Sequence, residues 1–173
     1  MKYTPDEVYE QIARLIPSDR PVELLDLGCC TGLEYGAFMR LNSQIKVTGV
    51  KEEESLKEIL KQKSGKRVEN LRLIYGDYFS VEFAIRQFDA AMAMMEINEF
   101  SRKNKLALYK KVYQALCKEG IYIEWDYIGE EDAVVGGISN VFSNQISLLL
   151  ESGFQRVEKA WYGEDTILLK AMK

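Results

Sequence analysis

The chain has 173 residues, 47 % hydrophobic and 29 % charged, with a formal net charge of -4. That is the profile of a globular domain with a sizeable core, not of a disordered tract. The acidic balance argues against nucleic acid and anionic membranes as partners, which select a basic surplus. The absence of histidine removes the commonest general base and metal ligand and every Ser-His or Cys-His catalytic pair.

No charged leader with an apolar stretch opens the sequence, and no run approaches the roughly 20 apolar residues of a membrane span. A cytoplasmic location without membrane contact is therefore expected. Thr4-Pro5-Asp6-Glu7 is a capping box with proline at the first helical position, and Val8, Ile12, Leu15 and Ile16 recur on one face, predicting a helix to about Pro17. Val22 to Leu27 reads as a short buried strand that feeds the turn Gly28-Cys29-Cys30-Thr31-Gly32, then a helix from Gly32 to Leu41. Such a turn aims backbone N–H groups at a ligand. The three cysteines include one adjacent pair and form no CxxC spacing, so neither a disulfide framework nor a metal centre is expected.

Ile45 to Val50 is the next strand and Glu53 to Lys63 the next helix, followed by a turn at Ser64-Gly65-Lys66. Leu71 to Tyr75 is a strand stopped by Gly76-Asp77, and Phe88 to Met95 is a further apolar strand. Runs of this kind suit parallel strands covered on both faces. From Ser101 a helix lined by Leu106, Tyr109, Tyr113 and Leu116 is expected to stop near Gly120, its lysines and Arg102 forming a solvated face, with a strand over Ile121 to Ile128. A loop spans Gly129 to Gly137. The last helix presents Ile138, Val141, Phe142, Ile146 and Leu149, and Phe154 to Trp161 pairs with Thr166 to Met172 as a closing hairpin. The expected fold is α/β: one domain over residues 1–173, a doubly wound, mostly parallel seven-stranded sheet with helices on both faces and a C-terminal antiparallel hairpin.

With these elements in order, the chain resembles the class I S-adenosylmethionine-dependent methyltransferases over nearly its whole length. Leu25 to Gly32 is similar to the family's LDLGCGTG turn, Val47-Thr48-Gly49-Val50 to its second strand, Gly76-Asp77 to the acid after its third, and Phe88-Asp89-Ala90-Ala91 to its fourth. A dehydrogenase reading is weaker, since the spacing is DxGxxxG and not GxGxxG. The resemblance implies S-adenosylmethionine as cofactor. Asp26, Gly28 and Gly32 would hold its methionine portion, Asp77 its adenine amino group, Tyr78 would border the adenine and Met94 would approach the sulfonium.

Two positions depart from the family pattern. Cys30 stands where the middle glycine is usual. Lys51 stands where an Asp or Glu takes both ribose hydroxyls, and an ammonium cannot accept them. Glu52, next in line, is the candidate replacement. Loss of hydrogen bonds to a charged acceptor costs about 1.5–3 kcal/mol.

Methyl transfer asks mainly for orientation and, for some nucleophiles, a base. The resemblance places polar residues that face substrate after the fourth strand, which makes Glu96 and Asn98 the candidate catalytic contacts to a small-molecule substrate, with Asp126 and Tyr127 after the fifth strand as second choices. Each has a structural alternative, because carboxylates and asparagine also favour helix starts. Two rival expectations stand beside methyl transfer: a non-catalytic binding module with a degenerate cofactor site, and a phosphate-bearing nucleotide met by Lys51.

Overall fold

The computed structural model describes residues 5–28, 34–51, 70–127, 142–163 and 166–173. Four helices, α1 (Pro5–Leu15), α2 (Tyr35–Leu41), α3 (Arg102–Ala115) and α4 (Phe142–Glu151), accompany seven strands among these residues. The strands are β1 (Val22–Leu27), β2 (Ile45–Lys51), β3 (Leu71–Tyr75), β4 (Phe88–Met94), β5 (Leu116–Tyr127), β6 (Arg156–Tyr162) and β7 (Thr166–Met172). They form one sheet in the order β3-β2-β1-β4-β5-β7-β6. The first five run parallel, and β7 is antiparallel to both β5 and β6. This is the doubly wound architecture with the closing hairpin that the sequence predicts.

Period-two alternation sorts the strands' side chains onto two faces. Leu25 and Leu27 of β1, Ala91 and Ala93 of β4 and Tyr122 of β5 enter the core beneath α3 and α4. Val22 and Leu24 of β1, Ala90 and Met92 of β4 and Ile123 of β5 enter the core beneath α1 and α2. Two covered faces explain the near-continuous burial of β1. The chain reverses direction across the sheet between β1 and β4, so the crevice at their carboxyl ends is where such folds bind ligands.

Side chains fix the joints. Asn42, 6 % exposed, ends α2 and donates from Nδ2 to Pro17 O at 3.0 Å and Arg20 O at 2.8 Å, while its Oδ1 accepts from Gln44 N at 2.9 Å. It thereby ties α2 to the link between α1 and β1. Asp89 at the start of β4 accepts from Glu23 N and from Arg20, at 2.9 and 2.6 Å, locking β4 beside β1.

Several expectations change. The helix expected to run past Leu116 ends at Ala115, and Leu116 starts β5 opposite Phe88. The strand then loses register before Ala90 pairs with Ile121, where Glu119 takes φ of +64°. The buried stripe of α3 is Lys105, Leu108, Tyr109, Val112 and Ala115, while Leu106 and Tyr113 are half-buried. Lys105 and half-buried Lys111 thus leave the expected solvated face because polar partners under the helix receive them. Over residues 144–151 of α4 the buried residues are Gln145, Leu148 and Leu149, with Ile146 half-buried, and Gln145 turns to buried carboxylates. β6 begins at Arg156, and Phe154 instead packs in the core. The helix expected over Glu53–Lys63, the turn at Ser64, the loop over Gly129–Gly137 and the positions Ile138 and Val141 lie outside the described residues.

Asn42→Ala removes both donors to two carbonyls and the acceptor for Gln44 N, and is expected to cost about 1–3 kcal/mol of stability. Urea denaturation at neutral pH measures it, as a lower midpoint at unchanged slope.

Candidate functional site

The carboxyl ends of the central strands lie level with one another. Gly28 N donates to Val50 O at 3.0 Å, Gly76 N to Lys51 O at 2.9 Å and Met95 N to Trp125 O at 2.8 Å, so each ladder continues one residue past its strand. Gly28 then turns with φ of +83°, a conformation that favours glycine. A Cβ there would collide with the carboxyl group of Glu96, which lies directly on the glycine. The turn after β1 and the loop after β4 therefore meet through a missing side chain.

Asp26 lies one layer below. Its position on β1 aims it at the α1/α2 face, fully buried, where Oδ2 accepts from Tyr35 Oη at 2.7 Å. Oδ1 has no hydrogen-bond partner among the described residues. Burial first, and then the neighbouring Glu34 carboxylate, hold Asp26 well above the usual carboxylate range; the Tyr35 hydroxyl opposes this, Glu96 adds to it and Lys51 offsets it. Among the described residues three carboxylates, two of them buried, thus surround the end of β1, with one ammonium in range. Among the described residues no group of three acidic or cysteine side chains is arranged to hold a metal ion.

The loop after β3 supplies the other wall. Asp77 turns back on its own loop, its Oδ2 accepting from Ser80 Oγ at 2.8 Å and Oδ1 from Phe79 N at 3.2 Å. The serine bond and then the backbone bond hold this carboxyl below its usual range. Tyr78 is 2 % exposed, with its hydroxyl donating to Glu96 Oε1 and its ring 6.2 Å from that of Phe100. Tyr78 therefore faces Glu96 in the interior.

The sequence-derived set divides accordingly. Asp26, Gly28, Lys51 and Glu96 come together at the ends of β1, β2 and β4, and Asp77 and Tyr78 adjoin them. Met94 is half-buried at the end of β4, and Asn98 is half-buried in the loop beyond. Cys30, Gly32 and Glu52 lie outside the described residues. Asp126 does not join this group; it faces the opposite side of the sheet, and neighbouring Tyr127 is exposed.

On that opposite face lies a polar cluster that pattern reading missed. Glu124 Oε1 accepts from Tyr109 Oη and from Gln145 Nε2, both at 3.0 Å, and Gln145 Nε2 also reaches Asp126 Oδ2 at 3.4 Å. Asp126 Oδ1 accepts from Tyr127 N at 2.8 Å. Lys105, 2 % exposed, faces both acids, and burial lowers its pKa. Burial, followed by the charge of Asp126, pushes Glu124 up to about 7; burial pushes Asp126 up to about 6. The available signal was the alternation Tyr122, Glu124, Asp126, which puts two acids on the covered face of an otherwise apolar strand. Glu34 and Tyr35 were missed for a different reason: an acid at a helix start reads as an ordinary terminus.

A family model described as "Methyltransferase domain" matches residues 24–120, from β1 into the start of β5. The chain belongs to the methyltransferase domain family. Comparison with curated protein sequences finds no match. Among solved structures, this methyltransferase domain is similar to a proposed O-methyltransferase from Nostoc punctiforme, with 20 % identity and a TM-score of 0.80, covering 96 % of this chain and 56 % of that one. The chain thus spans little more than half the length of that neighbour. The YcgJ protein of Bacillus subtilis is similar over 97 % of this chain and 98 % of its own, with 13 % identity and a TM-score of 0.81. The [4+2]-cyclase SpnF is similar over 97 % and 80 %, with 20 % identity and a TM-score of 0.79. No described helix of the domain is long and apolar enough to cross a membrane.

The raised acids make stability depend on pH. Glu124 binds its proton more tightly folded (about 7) than unfolded (about 4.3). Its contribution is full below about pH 4.3 and is lost as pH rises through about 7, on the order of 3 kcal/mol for the shift. Asp126 acts in the same direction up to about 6. Urea midpoints compared at pH 5 and pH 7.5 are expected to fall less in Glu124→Gln than in the parent; equal falls would refute the assignment.

Proposed function

We propose that the domain is an S-adenosylmethionine-dependent methyltransferase acting on a small molecule, and that the carboxylates around Gly28 receive the cofactor's methionine end. The observation that carries this reading is Asp26: a buried carboxylate with one oxygen lacking a hydrogen-bond partner among the described residues, in a methyltransferase domain, beside Glu34 and Glu96. Burying a carboxylate is costly unless it meets a cation or a proton. An ammonium and a sulfonium are the charges this cradle complements.

The fit differs along the ligand's length. At the methionine end Asp26 and Glu96 supply acceptors and Gly28 the backbone turn; Cys30 and Gly32, which follow it in sequence, are assigned to the same end by the family pattern. Asp77 retains lone pairs for an adenine amino group while its bonds to Phe79 and Ser80 hold it still. At the ribose Lys51 supplies no acceptor, which leaves that role to Glu52. The cofactor supplies an electrophilic methyl group on a good leaving group. The chain's share is to bind and orient: Glu96 and Tyr78 fix the wall beside Gly28, Met94 lines the approach to the sulfonium, and Asn98 offers the polar contact to the substrate.

Calorimetry with S-adenosylmethionine and S-adenosylhomocysteine tests the reading, and both are expected to bind the parent. Lys51→Asp adds ribose acceptors at the end of β2 and is expected to tighten binding about ten- to a hundredfold, corresponding to about 1.5–3 kcal/mol. No heat from either protein at millimolar ligand would sink the assignment. Heat from the variant alone would instead mark a degenerate module that has lost its ligand.

A further inference from the structure

Lys111 lies on α3, where lysines are ordinarily solvated, yet this one points into the loop after β3. Its Nζ donates to Tyr78 O at 2.7 Å and Phe79 O at 3.1 Å and sits 4.7 Å from the centre of the Phe83 ring. Those carbonyls belong to the loop whose Tyr78 hydroxyl donates to Glu96 Oε1. Phe100, beyond Glu96, packs against the rings of both Tyr78 and Phe79, at 6.2 and 5.7 Å. The loop after β3 and the loop after β4 are thus joined by one hydrogen bond and three rings, and a single cation anchors the assembly to α3.

We propose that Lys111 is a positioning residue: by holding the carbonyls of Tyr78 and Phe79 it sets the Tyr78 hydroxyl, which in turn holds the Glu96 carboxylate against Gly28. The inference rests on the function proposed above for its consequence, but not for its geometry. Asp77 has holds of its own, because its carboxylate accepts from Ser80 Oγ and the preceding Gly76 N donates to Lys51 O; its bond from Phe79 N comes from the peptide whose carbonyl, Tyr78 O, Lys111 holds. The relay therefore bears first on the end of the site that carries Glu96, and Asp77 feels the loss of Lys111 less. A lysine suits the task because its three donors rotate on a flexible stem, and partial burial between the ring and two carbonyls restricts that stem.

The test compares the parent with Lys111→Met, Lys111→Arg and Tyr78→Phe, all full chains, by calorimetry with S-adenosylhomocysteine and with 5′-methylthioadenosine, which keeps the adenosine but lacks the amino-acid ammonium. Lys111→Met and Tyr78→Phe are each expected to weaken S-adenosylhomocysteine at least tenfold and 5′-methylthioadenosine less than threefold, with Lys111→Arg restoring most of the loss. Equal loss of both ligands, or no loss of either, would overturn the proposal. Hydrogen exchange of the ligand-free proteins reads the relay directly: Lys111→Met should speed exchange in residues 77–83 and also in 95–100. Faster exchange confined to 77–83, or none, would show that Lys111 does not hold Glu96. Should the parent bind neither ligand, the proposed function fails, and the exchange result alone upholds or overturns the relay.

Discussion

The structure turns on the charge of Asp26. A carboxylate at the end of a central strand, fully buried and paired with one hydroxyl, is tolerated only if a positive charge or a proton comes to it. The surrounding residues raise that demand, because Glu34 and Glu96 are near enough to push Asp26 further from ionisation. Lys51 is the compensating charge that the chain itself brings. Its ammonium stands at the end of β2, two strand-ends from Glu96, and its influence on Asp26 opposes that of the acids. The residue that, on the proposed function, leaves the ribose without an acceptor at this position thereby offsets the charge of the acidic cradle. A departure that looks like damage in the sequence has an electrostatic role in the fold.

The sheet separates two polar problems that would be unworkable together. Asp26 faces α1 and α2, whereas Glu124 and Asp126 face α3 and α4 with Lys105 and Gln145. Between them lie the alanines and aliphatic side chains of β4 and β1, which keep the clusters on opposite sides of a dry layer. The Glu124 cluster is held by side chains from both covering helices, so its hydrogen bonds also fix how α3 and α4 sit on β5. That matters for the site, because α3 carries Lys111 to the loop after β3. Packing on one face of the sheet thereby reaches an edge of the site on the other.

The order of elements was legible because each strand is bounded by a turn residue and each covered face has its own period. Leu71–Tyr75 and Thr166–Met172 are read to the residue for this reason. The end of α3 was not, since Leu116 continues the helical apolar stripe and only its pairing with Phe88 makes it a strand. In the site, Asp26, Gly28, Lys51 and Glu96 are singled out by the resemblance to the methyltransferase pattern, and the fold brings them to the ends of β1, β2 and β4. What spacing could not give was direction: Tyr78 turns inward, Asp126 faces away, Lys105 leaves the solvent and Lys111 turns to the loop after β3. Each of these depends on a partner distant in sequence, and local periodicity contains no term for it.

The fold by itself does not choose the chemistry. An assigned cyclase and a proposed methyltransferase stand at nearly the same structural distance, with TM-scores of 0.79 and 0.80 and the same 20 % identity. The argument must then come from the site's own charges. Taken in isolation, a lysine at the end of β2 suits a nucleotide phosphate. In place, it stands beside Asp26, and a phosphate drawn to it would approach Asp26, Glu34 and Glu96. A like-charge pair about 4 Å apart costs about 4 kcal/mol at an effective dielectric of 20, so one close approach cancels a single ion pair with Lys51 and a second outweighs it. An ammonium placed there gains the same interactions with opposite sign. The acidity around Gly28 thus separates the two ligand classes that the glycine turn alone leaves open, and it favours the one that brings its own positive charge.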